Sequence, residues 1–121
     1  MREILINQTS DASGDSVDTS ESSVYGQLYA IEVVDGDLVD NFDITITYTN
    51  SRGGVITLST FTNLTTDAIY YPRAVLNDLA GGALAQTTGS DGVMPLVAGV
   101  ITSTLGDGGA TKTGAVILHI I

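Results

Sequence analysis

Few side chains in this 121-residue chain are equipped for chemistry. His119 is the one histidine and there is no cysteine, so neither a thiolate nucleophile nor a His/Cys metal set can be assembled. A histidine acting as a general base needs a nucleophile and an orienting acid, whereas His119 is followed by Ile120 and Ile121. It reads as a strand-end or interface histidine. Asp35, Asp37, Asp40 and Asp43 cluster around Gly36 at a spacing that suits calcium, but the twelve-residue loop order and closing glutamate of an EF-hand are missing. With 14 acids in the chain, closeness in sequence does not single out a glycosidase pair, and there is no tryptophan to serve as a sugar platform. Gly81-Gly82 and the glycines of 106–109 lack the strand-to-helix setting and the Lys-Ser/Thr partner of a phosphate loop. These residues point to a non-catalytic chain that needs no cofactor and no metal. A small calcium- or carbohydrate-binding β-sandwich module stands as the alternative from a different class.

The residue types that anchor interfaces are better represented. Tyr70 and Tyr71 form the only Tyr-Tyr pair, and Pro72 and Arg73 follow at once. Pro72 holds Tyr71 in an extended conformation and offers no N–H to a neighbouring strand, which predicts a strand at a sheet edge or bulge. Arg73 is expected to pair with a carboxylate, within the chain or across a subunit boundary, ahead of contacting another protein. Segment 9–23 and the C-terminal residues His119, Ile120 and Ile121 complete the set of interface candidates.

Four cations against 14 acids leave a net charge of −10, and Arg2, Arg52, Arg73 and Lys112 are scattered singly. A nucleic-acid partner requires clustered Lys and Arg, so the long-range field excludes that class. The first apolar run is only Ile4, Leu5 and Ile6, far short of a signal peptide or membrane span, which predicts a chain made and kept in the cytoplasm of its host, with no membrane partner. At 43% hydrophobic and 15% charged residues, the composition is that of a packed globule.

The elements that must position these residues are strands. Alternation is strictest over 42–49, where Phe42, Ile44, Ile46 and Tyr48 face one way and Asp43, Thr45, Thr47 and Thr49 the other. Further strands are predicted over 2–8, 24–34, 55–61, 68–76, 96–105 and 112–121. In 24–34, simple alternation puts Tyr29, Ile31 and Val33 on one face and Leu28, Ala30 and Val34 on the other. Asp35-Gly36-Asp37 and Gly106-Asp107-Gly108-Gly109 carry hairpin-turn residues, and the strands over 24–61 are expected to form a meander. Segment 9–23, rich in Ser, Thr and Asp, is expected to be a polar acidic loop or arm. Asn77, Asp78, Gly81, Gly82 and 89–92 predict turns, while 84–86 fits either a strand fragment or a helical turn. The fold class is all-β: one domain over 1–121, an antiparallel β-sandwich or jelly-roll-like barrel of about seven to eight short strands.

Tyr70-Tyr71-Pro72-Arg73, the Gly81-Gly82-Ala83 loop, Val93-Met94-Pro95-Leu96 and the closing 111–116 run together resemble small β-rich virion proteins of tailed bacteriophages. The resemblance covers 24–121 and excludes the acidic arm. Members of that group with an assigned role are capsid decoration, or cement, proteins. The resemblance implies a structural protein on the capsid exterior, bound to the major capsid protein and self-associated, often as a trimer. A neck, tail or fibre-base component is the alternative within the same group.

Overall fold

The computed structural model describes residues 1–73 and 93–121. Among these residues there are eight strands: β1 (Arg2–Thr9), β2 (Ser16–Thr19), β3 (Val24–Val34), β4 (Phe42–Thr49), β5 (Val55–Leu64), β6 (Ala68–Tyr70), β7 (Leu96–Gly106) and β8 (Thr113–Ile120). All pair antiparallel in one open sheet of order β1-β8-β3-β7-β4-β5, with β2 added on β7 and β6 on β3. Two long strands fold this sheet over. Residues 24–27 of β3 pair with 96–99 of β7; beyond that crossing β3 pairs with β8 and β6, while β7 pairs with β4 and β2. The result is a β-sandwich with β1-β8-β3-β6 in one layer and β2-β7-β4-β5 in the other.

Inward positions of the two layers meet in one core. Ile6, Val116, Leu118, Ile120, Leu28, Ile31 and Val33 come from the first layer, and Phe42, Ile44, Ile46, Ile101 and Leu105 from the second. Period-two alternation makes this possible, since each strand turns one set of side chains to the partner layer. A β-bulge between Leu28 and Ala30 breaks the alternation expected for 24–34. The extra residue puts Leu28 on the same inward face as Ile31 and Val33, and displaces Tyr29 to the surface.

Three further features differ from the sequence reading. Segment 9–23 is not an arm: β2 pairs with β7, and Gln8 closes the seam between the layers. Its amide Nε2 donates to the Ser103 carbonyl at 3.0 Å and to Ser16 Oγ at 3.2 Å, while Ser103 Oγ donates back to Gln8 Oε1 at 2.9 Å. A polar segment with few apolar residues is ordered by satisfying buried polar groups, a contribution that hydrophobic patterning does not register. The other two concern turns. The 35–41 and 107–112 loops do not close hairpins, because β3 is not paired with β4, nor β7 with β8. Both connect one layer to the other. They also pack on each other: Asp37 N–H donates to the Thr113 carbonyl at 3.0 Å, and Val39 N–H to that of Gly108 at 3.1 Å. Gly36, at φ 61°, permits this, since a Cβ there would collide with the Thr113 carbonyl oxygen.

Expected turns at Asn77, Asp78, Gly81, Gly82 and 89–92, the 84–86 fragment and the last residues of the 68–76 strand lie outside the described residues. Among the described residues, no helix is long and apolar enough to cross a membrane.

Candidate docking face

The two layers turn very different outer faces to their surroundings. On β2-β7-β4-β5, register aligns Val17, Thr104, Thr45 and Thr60 in one row and Thr19, Thr102, Thr47 and Thr57 in the next. Threonine rows of this kind suit a solvated sheet, with a β-branched body for the strand and a hydroxyl for water. On β1-β8-β3-β6 the matching row is Leu5, Ile117, Glu32 and Ile69, and the row beside it is Asn7, Ala115 and Val34. Leu5 is 57% and Ile69 47% exposed. The centre strand, β8, therefore presents Ala115, Ile117 and His119 outward while burying Val116, Leu118 and Ile120. That pattern belongs to a strand covered on both sides.

His119 sits in the third row, between Glu3 of β1 and Ala30 of β3. Its Nδ1 is 3.8 Å from Glu3 Oε1 and its Nε2 is 3.5 Å from Glu32 Oε2, so two carboxylates flank one ring. The His119 side chain is only 15% exposed, and its Nε2 is shut from solvent without a hydrogen-bond partner. Beyond His119 the face continues to Ile121, which is 56% exposed and joined through backbone hydrogen bonds to Gln27. Gln27 in turn pairs with Leu96, and Tyr25 follows on the same side; both Leu96 and Tyr25 are exposed. An apolar surface thus runs along β8 and over the β3–β7 crossing.

The sequence candidates divide on this surface. His119 and Ile121 lie on it. Ile120 does not: it is 2% exposed inside the core, because alternation along β8 points it opposite to its neighbours. Tyr70 is also packed inward, stacked on Phe61 with ring centroids 4.3 Å apart, where it bridges β5 and β6. β6 is an edge strand, paired only with β3 among the described residues, in the position Pro72 predicts. Tyr71 remains exposed, edge-on to Tyr29 at 5.6 Å. No carboxylate within the chain pairs with Arg73 among the described residues. Its guanidinium donates to the Tyr29 carbonyl at 3.0 Å and to the Pro72 carbonyl at 2.6 Å, and lies 5.7 Å from the Tyr29 ring centre. Arg73 clasps the end of β6 to the β3 bulge, with cation–π attraction adding to the hydrogen bonds.

Leu5, Ile69, Ile117, Glu3, Glu32, Tyr25 and Leu96 were not singled out from sequence. One signal was available: both parities of 115–121 are apolar, as in a strand with two covered faces. The other residues join the surface through pairings between segments far apart in sequence.

The aspartates around Gly36 are engaged separately. Asp37 Oδ1 accepts the Thr113 N–H at 2.6 Å, and Asp43 Oδ1 accepts the Asn63 N–H at 2.9 Å. Among the described residues, no group of three or more His, Asp or Glu is placed to hold a metal ion. The Thr113 hydrogen bonds hold the Asp37 carboxyl below its usual range. Asp35 is shifted the other way, by desolvation first and then by the charges of Asp67, Asp40 and Asp37; its Oδ1 is buried without a donor. A carboxyl whose folded pKa is raised binds its proton more readily in the folded state. Folding stability therefore falls as pH rises from the unfolded value of 3.8 through the folded pKa, and the penalty is fully present at neutral pH. Asp35→Asn is accordingly expected to raise the melting temperature at pH 7, with the gain vanishing below the unfolded value; thermal melts across that range check it.

No protein-family model and no curated protein sequence matches the chain. Among solved structures, it is similar to a chain in the structure of infectious bursal disease virus Gx strain, at 13% identity and a TM-score of 0.29. The match covers 98% of this chain and 36% of that one, so this chain spans about a third of the other's length.

Proposed function

We propose that the protein is a non-enzymatic structural component of a tailed-phage virion: a decoration, or cement, protein that seats on the capsid exterior, contacts the major capsid protein and associates with its own copies, as a trimer. The observation that carries this reading is the contrast between the two outer faces. One bears threonine rows, with apolar Val17 and Val55 exposed on its two edge strands; the other bears Leu5, Ile117 and Ile69 across its rows, and runs on through Ile121 to Leu96 and Tyr25. Continuous exposed apolar surface on a small chain marks a place where another protein sits. The sequence resemblance over 24–121 supplies the virion as the setting. Acids gathered on the loops at the far end, among them Asp11, Asp15, Asp37, Asp40 and Asp107, keep free copies apart before docking.

Adding the purified protein to shells that lack it tests the proposal. Density on the outside of the shell, at positions repeated by its symmetry, is expected by cryo-microscopy, together with greater resistance of the shell to heat. Leu5→Lys combined with Ile69→Lys is expected to abolish that binding while the free protein keeps its circular dichroism spectrum. Density only at a single vertex or in the tail, or none on the particle, overturns the decoration reading.

A further inference from the structure

We propose that the outer face of β1-β8-β3-β6 recognises a protein surface that presents a single arginine or lysine among apolar side chains. The inference deepens the docking reading of that face and rests on it. Glu3 and Glu32 are the only charged side chains in its outward rows, apart from any charge on the His119 ring held between them. No lysine or arginine of this chain occupies an outward position in those rows, so neither carboxylate has a formal cation of its own there. The glutamate side chains are 68% and 41% exposed, and the ring nitrogens they approach are 3.8 and 3.5 Å away, too far for a hydrogen bond. Their acceptor capacity is therefore left for an incoming group. Around them, Leu5, Ile117 and Ile69 would shed water on contact.

A partner that covers this face with apolar groups alone would strip water from two carboxylates without replacing their hydrogen bonds, a costly arrangement. A guanidinium or ammonium placed over His119 has a carboxylate on either side of it, and the apolar surround excludes water from the charged contact. A second copy applying the same face is a poor match, because its outward rows bring two more glutamates and no lysine or arginine. The matching surface belongs to a different chain, which in the proposed setting is the capsid subunit.

Two probes test this. On shells lacking the protein, the Glu3→Gln/Glu32→Gln double variant is expected to bind about tenfold more weakly than the unaltered protein, and with less salt dependence. Asp40→Asn, on the acidic loops, is expected to bind unchanged. With no particle present, a short peptide carrying one arginine flanked by leucines is expected to shift the amide resonances of Leu5, Ile117 and His119. The same peptide with glutamate in place of arginine is expected to leave them unmoved. A double variant that keeps full affinity for shells and peptide overturns cation recognition and leaves capsid docking standing. Unaltered protein that ignores shells yet binds the arginine peptide at those residues overturns the capsid setting and supports the inference. Equal shifts from the arginine and glutamate peptides, or none from either, overturn the inference.

Discussion

Ile120→Ala is expected to destabilise the fold by about 3–4 kcal/mol, and Ile121→Ala, one residue on, to leave unfolding unchanged. Ile120 is 2% exposed and packs with Leu28 and Leu118 in the core, so truncation removes buried methyl groups and leaves a cavity between layers that cannot fully collapse. In a domain of this size, the loss should lower the melting temperature by on the order of 10 °C. Ile121 stands on the outer surface, where its side chain contributes to docking and little to folding. Denaturant titration of the two variants, paired with a shell-binding assay, separates the roles: Ile120→Ala loses stability, and Ile121→Ala loses affinity. Equal stability of the two would mean that β8 is not in the register described.

Gly99→Ala is expected to cost about 3 kcal/mol, at the upper end of overpacking effects. Gly99 marks the point where β7 leaves β3 and begins to pair with β4. A Cβ at this position would fall on the Thr49 carbonyl oxygen, closer than real Cβ contacts come. The obstacle is backbone, so no rotamer change relieves it. Strands β7 and β4 would have to separate at the fold of the sheet, loosening the junction that makes two layers out of one. Gly106→Ala, at the other end of β7, provides the control. Its new methyl would meet only Asp15 Oδ1, at 3.9 Å, and a change of less than about 1 kcal/mol is expected. Chemical denaturation of both variants checks the difference.

Much of this architecture is legible in the chain itself. The strict alternation of 42–49 identifies β4 to the residue, 24–34 matches β3, and the predicted strands over 55–61 and 96–105 fall three residues and one residue short of the ends of β5 and β7. Pro72 marks an edge, and among the described residues β6 pairs with β3 alone. The all-β class follows from local chemistry, since β-branched side chains at period two have few other ways to bury one face. Two segments were harder to read. β2 has one apolar residue among four and is ordered by pairing with β7 and by the Gln8–Ser103–Ser16 hydrogen bonds, none of which a local window contains. The bulge at Leu28–Ala30 reverses the facing of half a strand by one added residue, a change that composition does not signal.

The candidate site divides in the same way. His119 and Ile121 could be named as members of the apolar last strand, and Tyr71 as an interface residue type next to Pro72 and Arg73. Ile120 and Tyr70 could not be told from them, since exposure depends on which side of a strand faces the other layer. Turn residues at 35–37 and 106–109 show where the chain reverses, but not which strand it then joins. Partner choice was settled by long-range burial, which sent both connections across the sandwich.

From residue order alone come the strands, the absence of cysteine chemistry, the acidic balance and the apolar character of both sides of 115–121, because each is a property of a short window or of the whole composition. The docking face is a product of tertiary structure. Leu5, Ile117, Glu32 and Ile69 lie on four strands spread over most of the chain, and only antiparallel register brings them into one row. His119 illustrates the difference: in sequence it is a lone histidine beside two isoleucines, and in the folded sheet it is the centre of a carboxylate-flanked apolar surface, because pairing with β1 and β3 carries Glu3 and Glu32 to either side of it.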